Sequence, residues 1–108
     1  MIFEELKIND VILPNRVTAA PMCQYSAVDG CPTDWHYGHL SQLLTSGAGM
    51  VMLESTSVSL DGRITSGDLS LSSDNNFKSI QKLFGFSGFR YLTQAEKARH
   101  TFPGLSLT

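Results

Sequence analysis

The 108-residue chain is short of most features that settle a function at once. It has two cysteines, too few for a disulfide framework. Its 8 Lys and Arg against 10 Asp and Glu leave a net charge of −2, with no basic stripe to suggest nucleic acid as a partner. No apolar stretch reaches the roughly 18 residues of a membrane-spanning helix, and "MIFEELKIND" lacks the basic start and long apolar run of a signal peptide. A soluble, cytoplasmic location is therefore expected, with neither nucleic acid nor membrane among the partners. A length of 108 residues allows one small domain with a modest core. There is no internal repeat.

The residues that are present form a pattern of strands and helices. In "LKINDVILPNR", Leu6, Ile8, Val11 and Leu13 flank Asn9-Asp10, a pair that tolerates left-handed turn geometry. This predicts a hairpin, its second arm ended by Pro14, which cannot donate to a ladder. A short strand comes next at residues 17–20, closed by Pro21. The turn "DGCPT" then leads to Thr33 or Asp34 as the cap of a helix whose apolar residues include Trp35, Leu40, Leu43 and Leu44. Gly47 in "SGAG" suits the left-handed position past its end. "MVMLESTSV" is a compact apolar run, as in a strand buried on both faces. Strand, helix, strand with short joints is the repeating unit of a parallel α/β sheet. "SLDGRITSGDLSLSSD" reads as a long polar loop, in which Arg63 and Asp68 hold the shape. Asp74 is then expected to cap a further helix, with Phe77, Ile80, Leu83 and Phe84 on one face.

In parallel α/β folds chemistry gathers beyond the carboxyl ends of the strands. Two such ends are visible: one carries Ala20, Pro21, Met22, Cys23 and Tyr25, the other Glu54, Ser55 and Thr56. On residue type alone, Cys23 and Tyr25 read equally well as core residues, and Glu54 as a loop anchor. A zinc set of Cys23, Cys31, His36 and His39 is a weaker alternative. The two histidines lie one helical turn apart, but the cysteine spacing matches no common ligand knuckle.

The wording is more specific than the spacing. "LPNR", "APMCQYSAVDG", "PTDWH", "GAGMVMLES" and "DGRITSGDLSLSSD" succeed one another with short gaps. Together they resemble the N-terminal quarter of the old yellow enzyme family, above all its bacterial NADPH dehydrogenase and ene-reductase branch with cysteine after Pro-Met. The resemblance implies a (β/α)8 barrel of which this chain holds the hairpin plug, the first two strands, the helix between them and the start of the second helix. It implies FMN bound at the barrel mouth, NADPH or NADH as reductant and an activated alkene as substrate, the hydride passing through flavin N5. It also implies a homo-oligomer for a complete protein.

Carried across by position, Ala20, Pro21, Met22 and Cys23 would lie along the flavin, with Pro21 fixing the backbone and the thiol of Cys23 tuning the ring's electronics. Tyr25 would offer its phenol to the substrate carbonyl. Ser55 falls at a second flavin contact, where the family often has alanine. No catalytic proton donor falls within this chain, and no metal ligand is implied.

The resemblance stops near Gly85. The family there enters a strand reading like Ile-Gln-Leu-Ser-His-Ala-Gly-Arg-Lys, whereas this chain reads "GFSGFRYLTQAEKARHTFPG". Codons begun at the third base of each codon from Gly88 onward permit Ile-Gln-Ile-Ser-His-Ala-Gly-Arg-Lys. Residues 1–84 are therefore expected to be barrel, and residues 85–108 an out-of-frame or divergent tail. A barrel of this type needs about 250 residues. The 108-residue chain by itself is expected to be a truncated, inactive product that neither folds stably nor holds FMN tightly.

Overall fold

The computed structural model describes residues 1–87; of the 85–108 tail expected to be out of frame or divergent, the part from Gly88 onward lies outside the described residues. The chain opens on an antiparallel hairpin of β1 (Leu6–Ile8) and β2 (Val11–Leu13), with Ile8 opposite Val11. Asn9 makes the turn at φ 52°, the left-handed geometry its short polar side chain tolerates. Asn15, just beyond Pro14, fastens the hairpin exit to Val17 and to the 47–49 segment. Its Nδ2 donates to Gly47 O at 2.8 Å, and its Oδ1 accepts from the amides of Val17 (3.0 Å) and Gly49 (2.8 Å). A Cβ on Gly49 would collide with the Asn15 carbonyl, so the "LPNR" and "GAG" segments fit only with glycine there.

Strand β3 (Thr18–Ala19) pairs in parallel with β4 (Met50–Val51), and helix α1 (Asp34–Leu44) connects them, the expected βαβ unit. Thr33 is the N-cap, in extended geometry, and its amide donates to Nδ1 of His36 at 3.0 Å. This is the reciprocal half of a capping box with histidine in place of the usual glutamate. Gly47 takes φ 90° just past the helix end.

The segment expected to be a polar loop contains more order than that. β5 (Thr56–Ser57) pairs in parallel with β6 (Leu69–Ser70), and a single 3₁₀ turn, Leu60–Gly62, lies between them. Strands of two residues rich in Ser and Thr leave no alternation to detect. Helix α2 (Asp74–Ser87) is capped by Ser73 rather than by Asp74: Ser73 Oγ accepts from the Asn76 amide at 3.1 Å, and Ser73 O from Phe77 at 3.0 Å. The helix also continues past Phe84.

The core is small. Ala27, Leu40, Leu69, Ile80 and Leu83 are its buried apolar residues among those described. Helices α1 and α2 pack together, and the rings of Tyr37 and Phe86 meet edge-on at 4.9 Å. The strand expected to be buried on both faces is only half-buried, and Met52 just beyond it is exposed. Trp35 is likewise exposed rather than part of the helix's apolar face.

Candidate functional site

The parallel ladder brings the two strand tips side by side, Met52 N–H donating to Ala19 O at 3.2 Å. Beyond it the chains diverge into two short segments, Ala20–Ser26 and Met52–Ser55, joined by one buried side chain. Glu54 Oε2 accepts the Gln24 amide at 3.2 Å. Its other oxygen, Oε1, lies 3.2 Å from Nε2 of the buried His36. That contact is close but poorly aligned, so Nε2 has no well-formed hydrogen bond. Because Nδ1 of His36 accepts from Thr33, the neutral ring carries its proton on Nε2, facing Glu54. Met22, His36, His39, Leu40, Leu43, Met52, Leu53 and Glu54 line a small cavity at this junction.

Gln24 is the hub of the first tip. Its Nε2 donates to Met22 O at 3.0 Å, and its Oε1 accepts from Trp35 Nε1 at 2.8 Å, which is why the indole stays at the surface. Ser26 Oγ donates to Gln24 O at 2.9 Å, and Thr33 Oγ1 to Ser26 O at 3.0 Å. Tyr25, between them, sits at φ 55° with its ring exposed. A left-handed tyrosine is sterically unfavourable and persists only where its surroundings impose it. Here the main chain of Gly67 lies against it: a Cβ on Gly67 would fall 2.6 Å from Tyr25 O. Gly67 O also accepts the amide of Ala27 at 2.9 Å.

Asp68 and Arg63 shape the loop that delivers Gly67. Asp68 Oδ2 accepts from the amides of Ile64 (2.9 Å) and Thr65 (3.3 Å), and Oδ1 accepts from Thr65 Oγ1 at 2.8 Å. These bonds, the Thr65 hydroxyl first, hold the Asp68 carboxyl below its ordinary value against the opposing effect of burial. Arg63 caps carbonyls of Leu60 (3.0 Å) and Ser66 (3.1 Å). Both residues hold loop shape, as their sequence setting suggests.

Of the remaining candidates, Ala20, Pro21 and Met22 are exposed along the first tip, with Cys23 half-buried; Ser55 is exposed on the second. The four residues of the zinc alternative do not converge. Among the described residues no three His, Cys, Asp or Glu side chains gather to hold a metal. Cys31 instead receives Nδ2 of the buried Asn76 at 3.2 Å, and the same Nδ2 lies 2.9 Å from Asp29 O.

Known proteins resemble this chain in sequence and in fold. The model of the NADH:flavin oxidoreductase / NADH oxidase family matches residues 1–85. An NADPH dehydrogenase of Listeria monocytogenes is 42% identical over 86 residues, covering 78% of this chain and 25% of the relative. An NADH:flavin oxidoreductase of Gibberella zeae is 36% identical over 113 residues, covering 98% of this chain and 27% of the relative. Morphinone reductase superimposes with a TM-score of 0.72 at 22% identity, over 80% of this chain and 22% of its own. The old yellow enzyme of Trypanosoma cruzi gives 0.68 at 20% identity, over 80% and 23%. The fold is thus the N-terminal portion of a (β/α)8 barrel of the flavin-oxidoreductase type, with β3 and β4 as its first two barrel strands. The chain belongs to the old yellow enzyme family. It spans about a quarter of the length of the curated relatives it matches.

Proposed function

We propose that residues 1–84 form the flavin-edge quarter of an FMN-dependent NAD(P)H oxidoreductase that reduces activated C=C bonds of small molecules in the cytoplasm. FMN, when bound, supplies the hydride relay between the nicotinamide and the alkene. The observation that carries the reading is the state of the first strand tip. Pro21 has no N–H, and the amides of Ala20, Met22 and Cys23 and the Cys23 thiol take no hydrogen-bond partner among the described residues. Rigid main chain with donors to spare, next to a polarisable thiol, suits the polar rim of an isoalloxazine. In this reading Tyr25, held in a strained turn with its ring outward, donates to a carbonyl oxygen and favours charge developing there. Ser55 on the neighbouring tip is the second flavin contact in this reading.

A second part of the proposal concerns the 108-residue chain itself. Among the described residues five buried apolar side chains make a thin core, and Met22, Met52, Val58 and Ile64 lie exposed. Each two-stranded sheet leaves edges unpaired among the described residues. The chain alone is inactive in this reading, and the site is completed only within a full barrel. The test is a full-length barrel in which residues 1–84 replace the corresponding quarter of the Listeria monocytogenes NADPH dehydrogenase. It should bind FMN, be reduced by NADPH and be reoxidised by an enone. A barrel that takes up FMN but passes no hydride to any enone refutes the alkene assignment.

A further inference from the structure

We infer that Glu54 and His36 are positioning residues, which lock the segment between Cys23 and Tyr25 to the second strand tip and to the first turn of α1. The inference rests on the proposed flavin-edge role for what that segment does, but the tether stands on geometry alone.

Glu54 and His36 are both buried polar residues of the described chain, at 6% and 2% exposure. A carboxylate inside a fold is costly unless each oxygen is matched to a donor. Here one oxygen accepts the main-chain amide of Gln24 at 3.2 Å, and the other lies 3.2 Å from Nε2 of His36 in an electrostatic contact short of a well-aligned hydrogen bond. The orientation of His36 is itself fixed, because Nδ1 is committed to the Thr33 amide at the helix start. A chain of contacts therefore runs from the cap of α1 through imidazole and carboxylate to the one residue that separates the thiol of Cys23 from the phenol of Tyr25. Gln24 is held from its other side by the Trp35 indole of the same helical turn. No other side chain among the described residues bonds the main-chain amide of residues 22 to 25. Moving the carboxylate would move both proposed contact residues together.

The arrangement demands an acceptor at both ends of the carboxyl group. Glutamine, though of the same shape, has one acceptor and one donor, so it must leave either the Gln24 amide or the His36 proton facing a donor. Aspartate keeps both acceptors and the charge but is one methylene too short to reach both partners.

The test compares the full-length barrel carrying residues 1–84 with its Glu54→Gln and Glu54→Asp variants. Amide hydrogen exchange is followed by mass spectrometry without FMN, and steady-state kinetics with FMN. The tether predicts exchange of the Gln24 amide faster by roughly 10- to 100-fold in the variants, as for loss of a hydrogen bond to a charged acceptor. Exchange in α2 should be unchanged. It further predicts a fall in kcat of at least about tenfold for enone reduction with FMN affinity held within a few-fold, the pattern of a misplaced transition-state contact. Exchange unchanged at the Gln24 amide in both variants overturns the inference. So does exchange accelerated equally in α2, which would make Glu54 a general core residue. A parent barrel that binds no FMN defeats the functional reading instead, and the exchange comparison still decides the tether.

Discussion

Substituting Gly67 by alanine is the sharpest way to ask whether the 60–68 loop sets the pose of Tyr25. The added Cβ would lie 2.6 Å from Tyr25 O, 2.7 Å from its carbonyl carbon and 3.0 Å from its Cα. All three are main-chain atoms, so no side-chain rotation relieves the clash. Restoring an ordinary contact of 3.4 Å requires a relative shift of roughly 0.8 Å. The loop cannot easily retreat, because Gly67 O holds the Ala27 amide and Asp68 is fixed by three bonds from Ile64 and Thr65. Tyr25, already at φ 55°, is the weaker side and should move. Overpacking of this kind costs about 1–3 kcal/mol, and a displacement near 1 Å at a reacting group costs up to ~100-fold in rate. In the full-length barrel, Gly67→Ala should therefore lower the thermal midpoint modestly and cut kcat for enone reduction by roughly 10- to 100-fold, while flavin reduction by NADPH changes little. Stopped-flow spectroscopy of the two half-reactions separates these effects. Unchanged reoxidation by the enone, with an unchanged midpoint, would refute the packing argument.

Three further outcomes are expected. Asn76→Leu in the same barrel removes the donor to Asp29 O and Cys31 and the acceptor for the Ser72 amide and hydroxyl; urea denaturation should show a loss of about 1–3 kcal/mol, and a loss under about 0.5 kcal/mol would contradict the assigned bonds. Asp68 has its carboxyl held below the ordinary 3.8, so its contribution is complete above that value and is lost as pH falls through the lowered folded value. Acid denaturation should accordingly destabilise the parent more than Asp68→Asn, and parallel curves would contradict this. The purified 108-residue chain should show no cooperative thermal transition and retain no flavin after dialysis; a yellow, cooperatively melting chain would overturn the account of its incompleteness.

The sequence was most informative where a residue's own chemistry dictates its geometry. Asn9 and Gly47 adopt the left-handed conformations their types favour, and Thr33 caps α1. Ile80 and Leu83, one helical turn apart, form the buried face of α2. The pairing of β5 with β6 was hidden because two-residue strands of small polar residues carry no periodicity. Trp35 misled for a related reason: its bulk suggests core, but its N–H serves Gln24 at the surface. That the two strand tips are neighbours was legible in the sequence, and the contacts that join them only in part. Glu54 reads from sequence as a loop anchor, and it does anchor one, through Gln24. That its partner is His36, 18 positions earlier in the first turn of α1, is a consequence of the crossover by which α1 joins β3 to β4. Gly67 packing on Tyr25 is likewise a tertiary fact. The one available signal was a glycine next to an aspartate with Ser and Thr upstream, a setting that marks a shaped loop but not what it touches.

The claim on which the rest depends is that the Ala20–Tyr25 strand tip borders a flavin. The most direct test is titration of the full-length barrel, and of its Cys23→Ser and Tyr25→Phe variants, with FMN while the flavin absorbance is recorded. One flavin per barrel, with an absorbance band and reduction potential displaced by Cys23→Ser and enone turnover slowed by Tyr25→Phe, is the expected result. A colourless barrel, or a bound flavin whose spectrum and potential ignore the loss of the Cys23 thiol, would contradict it.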